Sequence, residues 1–196
     1  TQKKAISDGT LASLPTLISE DQKIFDHSTF VDEANWKVLL ETAMEGYHIK
    51  ALHNKTFYPY GFDNLNIVET FGMNSRIVFP FRRIEKLREI PKNDWKADGM
   101  LTYVIQIYPN ARLSILSNHY QLVIMEPISV STSRWHVYRL TPPNTTVSIE
   151  DLERSKKDAA FVKDTGVEED REAACSIQRG LLGDGNTHFT FGRFEK

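Results

Sequence analysis

Between Asn35 and His53 the chain reads Asn35-Trp-Lys-Val-Leu-Leu-Glu41-Thr-Ala-Met-Glu45-Gly-Tyr-His48-Ile-Lys-Ala-Leu-His53, and it places two carboxylates and two imidazoles on one helix-forming stretch. On an ideal helix Glu41, Glu45 and His48 stand at i, i+4 and i+7 and share a face. His53, five residues beyond His48, points elsewhere at about 100° per residue. Both imidazoles reach one point only if the helix bulges or ends between them, a distortion common at functional sites. Imidazole nitrogens of His48 and His53, joined by one distant carboxylate, would make a mononuclear metal site. Spacing alone leaves the alternative of a hydrogen-bonded core His48 and a surface His53.

The carboxylate is sought near the other end, where a helix is expected from Val167 to Arg179. Its apolar positions Ala173, Ala174, Ile177 and Leu181 form a stripe at helical spacing, and Asp170 falls on that stripe. Glu168 and Glu169 fall off it, towards solvent. A carboxylate on a buried face is costly unless paired or metal-bound, which singles out Asp170; the competing role is an acid favoured by the macrodipole near a helix N-terminus. Two His and one carboxylate, with the remaining positions open, is the arrangement of non-haem Fe(II) oxygenases.

Longer motifs carry a resemblance. Asn35-Trp36-Lys37, then Glu45-Gly46-Tyr47-His48, then His53 after four residues, resembles the iron-binding signature of the Rieske non-haem iron ring-hydroxylating oxygenases, in the catalytic domain of their large subunit. Glu169-Asp170 followed by Gln178-Arg179-Gly180 resembles that family's second signature. The resemblance implies Fe(II) held by His48, His53 and Asp170, with Glu45 as the carboxylate that bridges the iron to an electron-donating Rieske [2Fe-2S] cluster. It also implies dioxygen and a small organic substrate, a reductase or ferredoxin as electron donor, and a head-to-tail homotrimer in which electrons arrive from a neighbouring subunit. Met44 is offered as a substrate-lining residue.

Two departures stand out. The bridging position is usually Asp, and here Glu45 is one methylene longer. The family's cluster is held by Cys-x-His and Cys-x-x-His pairs, which one cysteine, Cys175, cannot provide. The chain, which starts at Thr1 and stops at Phe194-Glu195-Lys196, is therefore expected to be part of a longer subunit. Residues 1–30 read as a lead-in or interdomain segment and 31–196 as the iron-binding catalytic domain.

Composition narrows the rest. At 196 residues a single domain with a substantial core is expected. Hydrophobic residues at 40% and charged residues at 26% are ordinary globular usage. A net charge of −2 gives no footprint for nucleic acid or an anionic membrane. No apolar run reaches transmembrane length, and the opening residues do not read as a signal peptide. The lone cysteine excludes an intrachain disulfide framework and fits a reducing cytoplasm. The sequons at Asn54 and Asn144 are read as chance.

The positioning elements follow in order. A helix is expected from about Glu33 to Leu52, with Gly46 either a tolerated helix glycine or a point of close approach for another chain. The aromatic loop Phe57–Phe62 either walls a pocket or caps the core, the latter favoured. Asn66–Phe71 and Arg76–Phe81 form a strand pair, and Arg82–Ile90 a short helix closed by Pro91. Met100–Tyr108, Arg112–Leu116, Tyr120–Pro127 and Ser133–Leu140 read as an antiparallel meander, because the connections are short. His119 and His136 have no ligand spacing and are read as structural or exposed. Ser148 starts a helix to about Lys163, and Asp164-Thr-Gly166 breaks it. Gly180–Gly185 follows a helix and lacks a Lys-Ser/Thr ending, so it reads as a C-cap and turn rather than a phosphate loop.

The fold class is α+β, an antiparallel sheet wrapped over long helices, like the helix-grip domain that the resemblance implies. The expected function is O2-dependent hydroxylation or dealkylation of a small, mostly apolar compound. Two rivals use the same shape: a zinc-dependent hydrolase with the same ligands, and a non-catalytic hydrophobic-ligand-binding domain.

Overall fold

The computed structural model describes residues 18–97, 99–143, 148–163 and 168–183, with 185, 188, 190 and 192 near the C-terminus. Most of the lead-in (1–17), the sequon at Asn144, the helix breaker Asp164–Gly166 and the terminal Phe194–Lys196 lie outside the described residues.

Alternating apolar and polar residues in short runs, joined by tight turns, produce the sheet. Its strands are β1 (Ile24–Asp32), β2 (Ile67–Phe71), β3 (Asn74–Pro80), β4 (Leu101–Ile107), β5 (Ala111–Ile115), β6 (Tyr120–Ser129) and β7 (Thr132–Leu140). They form one antiparallel sheet in the order β1-β7-β6-β5-β4-β3-β2. The β2–β3 hairpin turns at Gly72, whose φ of 64° suits a residue without a Cβ.

The lead-in reading needs correction at its end. Ile24–Asp32 is an edge strand whose partner is the last strand, β7, with Phe30 opposite Trp135. The expected boundary at residue 31 thus falls inside β1. Polar residues on both faces of an edge strand hide the alternation that would have revealed it.

Placing β1 and β2 at opposite edges has a consequence. Seven strands spaced about 4.8 Å apart put those edges about 29 Å from each other. The chain between them must cross the whole sheet, and the crossing segment is the one that carries both site histidines. It is not one helix. Helix α1 (Trp36–Glu41) is capped by the Asn35 side chain, which accepts from Lys37 N–H at 2.9 Å, and runs into a 3₁₀ turn, Thr42–Met44. Glu45 is extended (φ −142°, ψ 162°), and a second short helix, α2 (His48–Ala51), follows. A Cβ on Gly46 would run into the Asn66 side chain, so the close approach there comes from the same chain.

Two longer helices complete the fold, α3 (Ile149–Phe161) and α4 (Glu168–Leu181). The core forms where α1 and α4 meet β6 and β7: Leu39, Val123, Met125, Trp135, Val137 and Ala174 are buried together, with Phe30 and Cys175 packed against them. The two helices are also tied directly, as Asn35 N–H donates to Gln178 Oε1 at 2.8 Å. Helix α3 lies against the β5–β6 turn, with Ser155 Oγ donating to Asn118 O at 2.7 Å. The segment Arg82–Glu89, expected as a helix, is 3₁₀. The architecture is α+β. No helix of the described residues is long and apolar enough to cross a membrane.

Candidate metal centre

Helix α2 begins at His48 and ends at Ala51, so the chain turns off the helix between the two histidines. That ending lets the rings converge, with centroids 5.0 Å apart. Helix α4 supplies the third group from the opposite end of the sequence. Ala174 one turn on is fully buried, which fixes the face that Asp170 presents.

The three side chains meet. His53 Nε2 lies 2.8 Å from Asp170 Oδ1, and His48 Nε2 lies 3.5 Å from the same oxygen. One ligand atom from each of His48, His53 and Asp170 falls within 4.8 Å of the others. Donors about 2.1 Å from a common metal at right angles stand about 3 Å apart, so the spacing suits a three-ligand face after small adjustments.

Their outer partners settle which nitrogens face inward. His48 Nδ1 donates to Glu45 Oε1, and Glu45 also takes the Tyr47 N–H. His53 Nδ1 donates to Glu169 Oε2 at 2.6 Å, and Thr56 Oγ1 donates to that oxygen at 2.8 Å. Carboxylates on both Nδ1 atoms leave both Nε2 atoms turned towards Asp170, the arrangement by which outer carboxylates orient metal-bound imidazoles. Glu169 is therefore not a solvent-facing acid, as its place off the apolar stripe suggested; it reaches sideways across α4 to His53. Sequence reasoning missed this role, and the only local signal was its adjacency to Asp170.

Burial works to lower the His53 pKa, but hydrogen bonds and charge from Asp170 and Glu169 outweigh it, and the pKa is raised above 6.5. Two carboxylates on two ring nitrogens favour the doubly protonated imidazolium when no metal is bound.

The site opens into a cavity of about 560 Å³. Glu45, His48, His53 and Asp170 form one part of its wall. Phe57, Tyr60 and Phe62 line it too, so the aromatic loop walls this cavity. Phe57 stacks edge-on against His53 and Phe161. Ala43 and Glu45 reach the cavity, whereas Met44 between them is not among its lining residues. The 3₁₀ turn and the extended Glu45 redirect this segment, which helical spacing could not show. His119 is buried and donates to Asp158 at 2.8 Å, and His136 pairs with Glu126 at 3.0 Å; both lie apart from the metal centre.

Comparison with known proteins gives the following. The family model described as the ring-hydroxylating alpha subunit, catalytic domain, matches residues 24–196. No curated protein sequence matches the chain. Among solved structures, the quaternary ammonium Rieske monooxygenase CntA, in complex with an inhibitor, aligns with a TM-score of 0.72 at 18% identity, over 94% of this chain and 47% of that one. Naphthalene 1,2-dioxygenase from Rhodococcus sp., bound to indole, aligns with a TM-score of 0.69 at 12% identity, over 91% of this chain and 49% of that one. Dicamba monooxygenase aligns with a TM-score of 0.58 at 12% identity, over 97% of this chain and 62% of that one. At these identities the likeness shows the fold, and the chain spans about half the length of the first two.

Proposed function

From the premise that the chain belongs to the ring-hydroxylating alpha-subunit family, as its catalytic domain, we propose that His48, His53 and Asp170 hold Fe(II) for the O2-dependent hydroxylation or dealkylation of a small, mostly apolar organic substrate. The observation that carries this is the orientation of the donors: each Nδ1 is occupied by a carboxylate, and both Nε2 atoms turn to Asp170 at the wall of an apolar cavity. Two neutral nitrogens and one carboxylate, with other positions free, fit non-haem Fe(II).

Bound there, iron supplies a place for dioxygen to bind and be reduced beside the substrate. The chain's own residues do the remaining work. Glu45 and Glu169 hold the imidazole tautomers, and Thr56 holds Glu169 in turn. Phe57, Phe62 and Phe81 give the pocket an apolar wall that orients an apolar body. Glu45, half-buried and joined to His48, is the carboxylate on the route by which electrons reach the centre. We place their source in a Rieske [2Fe-2S] cluster domain preceding the catalytic domain, on a neighbouring subunit of a homotrimer, supplied by a ferredoxin or reductase. The same reading sets the enzyme in the cytoplasm.

Nitric oxide tests the open positions. The chain loaded anaerobically with Fe(II) is expected to give the EPR signal of a high-spin iron nitrosyl. Stoichiometric iron with no nitrosyl signal would mean a closed site and would contradict the oxygenase role.

A further inference from the structure

Part of the cavity wall belongs to the sheet. Val104, Ser114 and Gln121 sit directly opposite one another across β4, β5 and β6. Arg112, two residues before Ser114, projects from the same face. All four line the cavity, and Arg112 and Gln121 are 6% and 3% exposed.

Arg112 stands out from the other charged groups of this wall. Arg82 donates to Tyr58 O at 3.1 Å and stacks on Tyr58 and Phe62, and Arg83 donates to Gly99 O. Asp158 is taken by His119 and by Asn118 N–H, and Glu45 by His48. Arg112 Nε is buried with no hydrogen-bond partner, and no side-chain hydrogen bond or ion pair of Arg112 occurs among the described residues; its guanidinium lies 6.0 Å from the centre of the Trp135 ring. Its neighbour Gln121 likewise has a buried Oε1 without a donor. Burial lowers the Arg112 pKa, opposed by the charge of Asp170.

A buried guanidinium without a hydrogen-bond acceptor is costly, and inside a cavity the missing acceptor is a ligand. We propose that the substrate is an organic anion, with an apolar body against the aromatic loop and a carboxylate received by Arg112 beside Gln121. Guanidinium donors match a carboxylate in geometry and charge. The Gln121 amide presents either a donor or an acceptor to the same group when its plane turns over. Fixing the charged end at Arg112 sets how the apolar body lies beside the metal centre, so Arg112 selects both the substrate class and the position oxidised. The proposal rests on the oxygenase reading for the chemistry at the metal, but not for the binding itself.

Binding of naphthoate and its neutral isostere naphthamide to the EDTA-treated chain tests it, because without metal a carboxylate preference cannot come from coordination. Naphthoate is expected to bind at least about tenfold more tightly, equivalent to about 1.4 kcal/mol. Arg112→Gln should erase that preference, and Arg112→Lys should retain most of it. Equal affinities in the parent chain, or a preference that survives Arg112→Gln, would overturn the proposal; the parent comparison decides even if a variant misfolds. Iron content of the same preparations separates the two readings. Carboxylate preference in a chain that takes up no iron would support the anion pocket and contradict the oxygenase site, and iron uptake without preference would do the reverse.

Discussion

Arg171 forks onto Asp32, its Nε and Nη2 donating to the two carboxylate oxygens at 2.8 and 2.6 Å. Asp32 is 7% exposed at the end of β1, and the Arg171 guanidinium lies 4.0 Å from the centre of the Phe30 ring. Arg171 follows Asp170 directly, so this pair fastens the helix that brings the third ligand to the edge strand of the sheet.

Truncating Arg171 would leave a buried carboxylate uncompensated. Arg171→Ala is expected to cost about 2–4 kcal/mol in urea denaturation, the lower end reflecting the partly exposed partner. The double variant Arg171→Met with Asp32→Leu should recover much of the loss, since the stranded charge is then gone. An Arg171→Ala chain as stable as the parent would show that the pair does not anchor α4.

Glu169 and Glu45 act through the imidazoles they hold. Glu169→Ala and Glu45→Ala are each expected to weaken Fe(II) affinity by about 10–100-fold, measured by competition with a chelator, without abolishing binding. Affinity unchanged in both variants would mean that the Nδ1 contacts do not orient the ligands.

Proton competition gives a pH dependence with a defined sign. Metal needs His53 Nε2 deprotonated, and in the metal-free chain the His53 pKa lies above 6.5 because Asp170 and Glu169 outweigh the effect of burial. Apparent metal affinity should therefore rise as pH increases through the raised His53 pKa. Glu169→Gln, which removes one of the two charges, should move that rise to lower pH. The same raised pKa stabilises the metal-free fold below the unfolded-state value of about 6.5, and this contribution is lost as pH climbs through the folded value. Metal affinity flat from pH 6 to 8 would contradict the assignment of His53.

Much of the fold was legible in the sequence. The meander β4–β7 and the β2–β3 hairpin follow from β-rich runs with turn residues between them, and α4 follows from its apolar stripe. That stripe also pointed to Asp170. What stayed hidden depends on partners remote in sequence. β1 has no clean alternation because it is an edge strand. The break at Glu45–Gly46 arises where Asn66 packs against a glycine, which helical spacing cannot anticipate. Glu169 lies off the stripe and reaches His53 only because helix α2 ends at Ala51. Arg112 looked like any charged residue of a strand until the cavity showed that it faces inward without a hydrogen-bond partner.

The central claim is that His48, His53 and Asp170 share one iron. Mass-spectrometric metal analysis after anaerobic Fe(II) loading tests it most directly, comparing the parent chain with His48→Ala and Asp170→Ala. The expected result is roughly one iron per parent chain, the stoichiometry of a mononuclear facial site, and loss of that iron in both variants. Parent chain without stoichiometric iron, or iron retained in Asp170→Ala, would contradict the assignment.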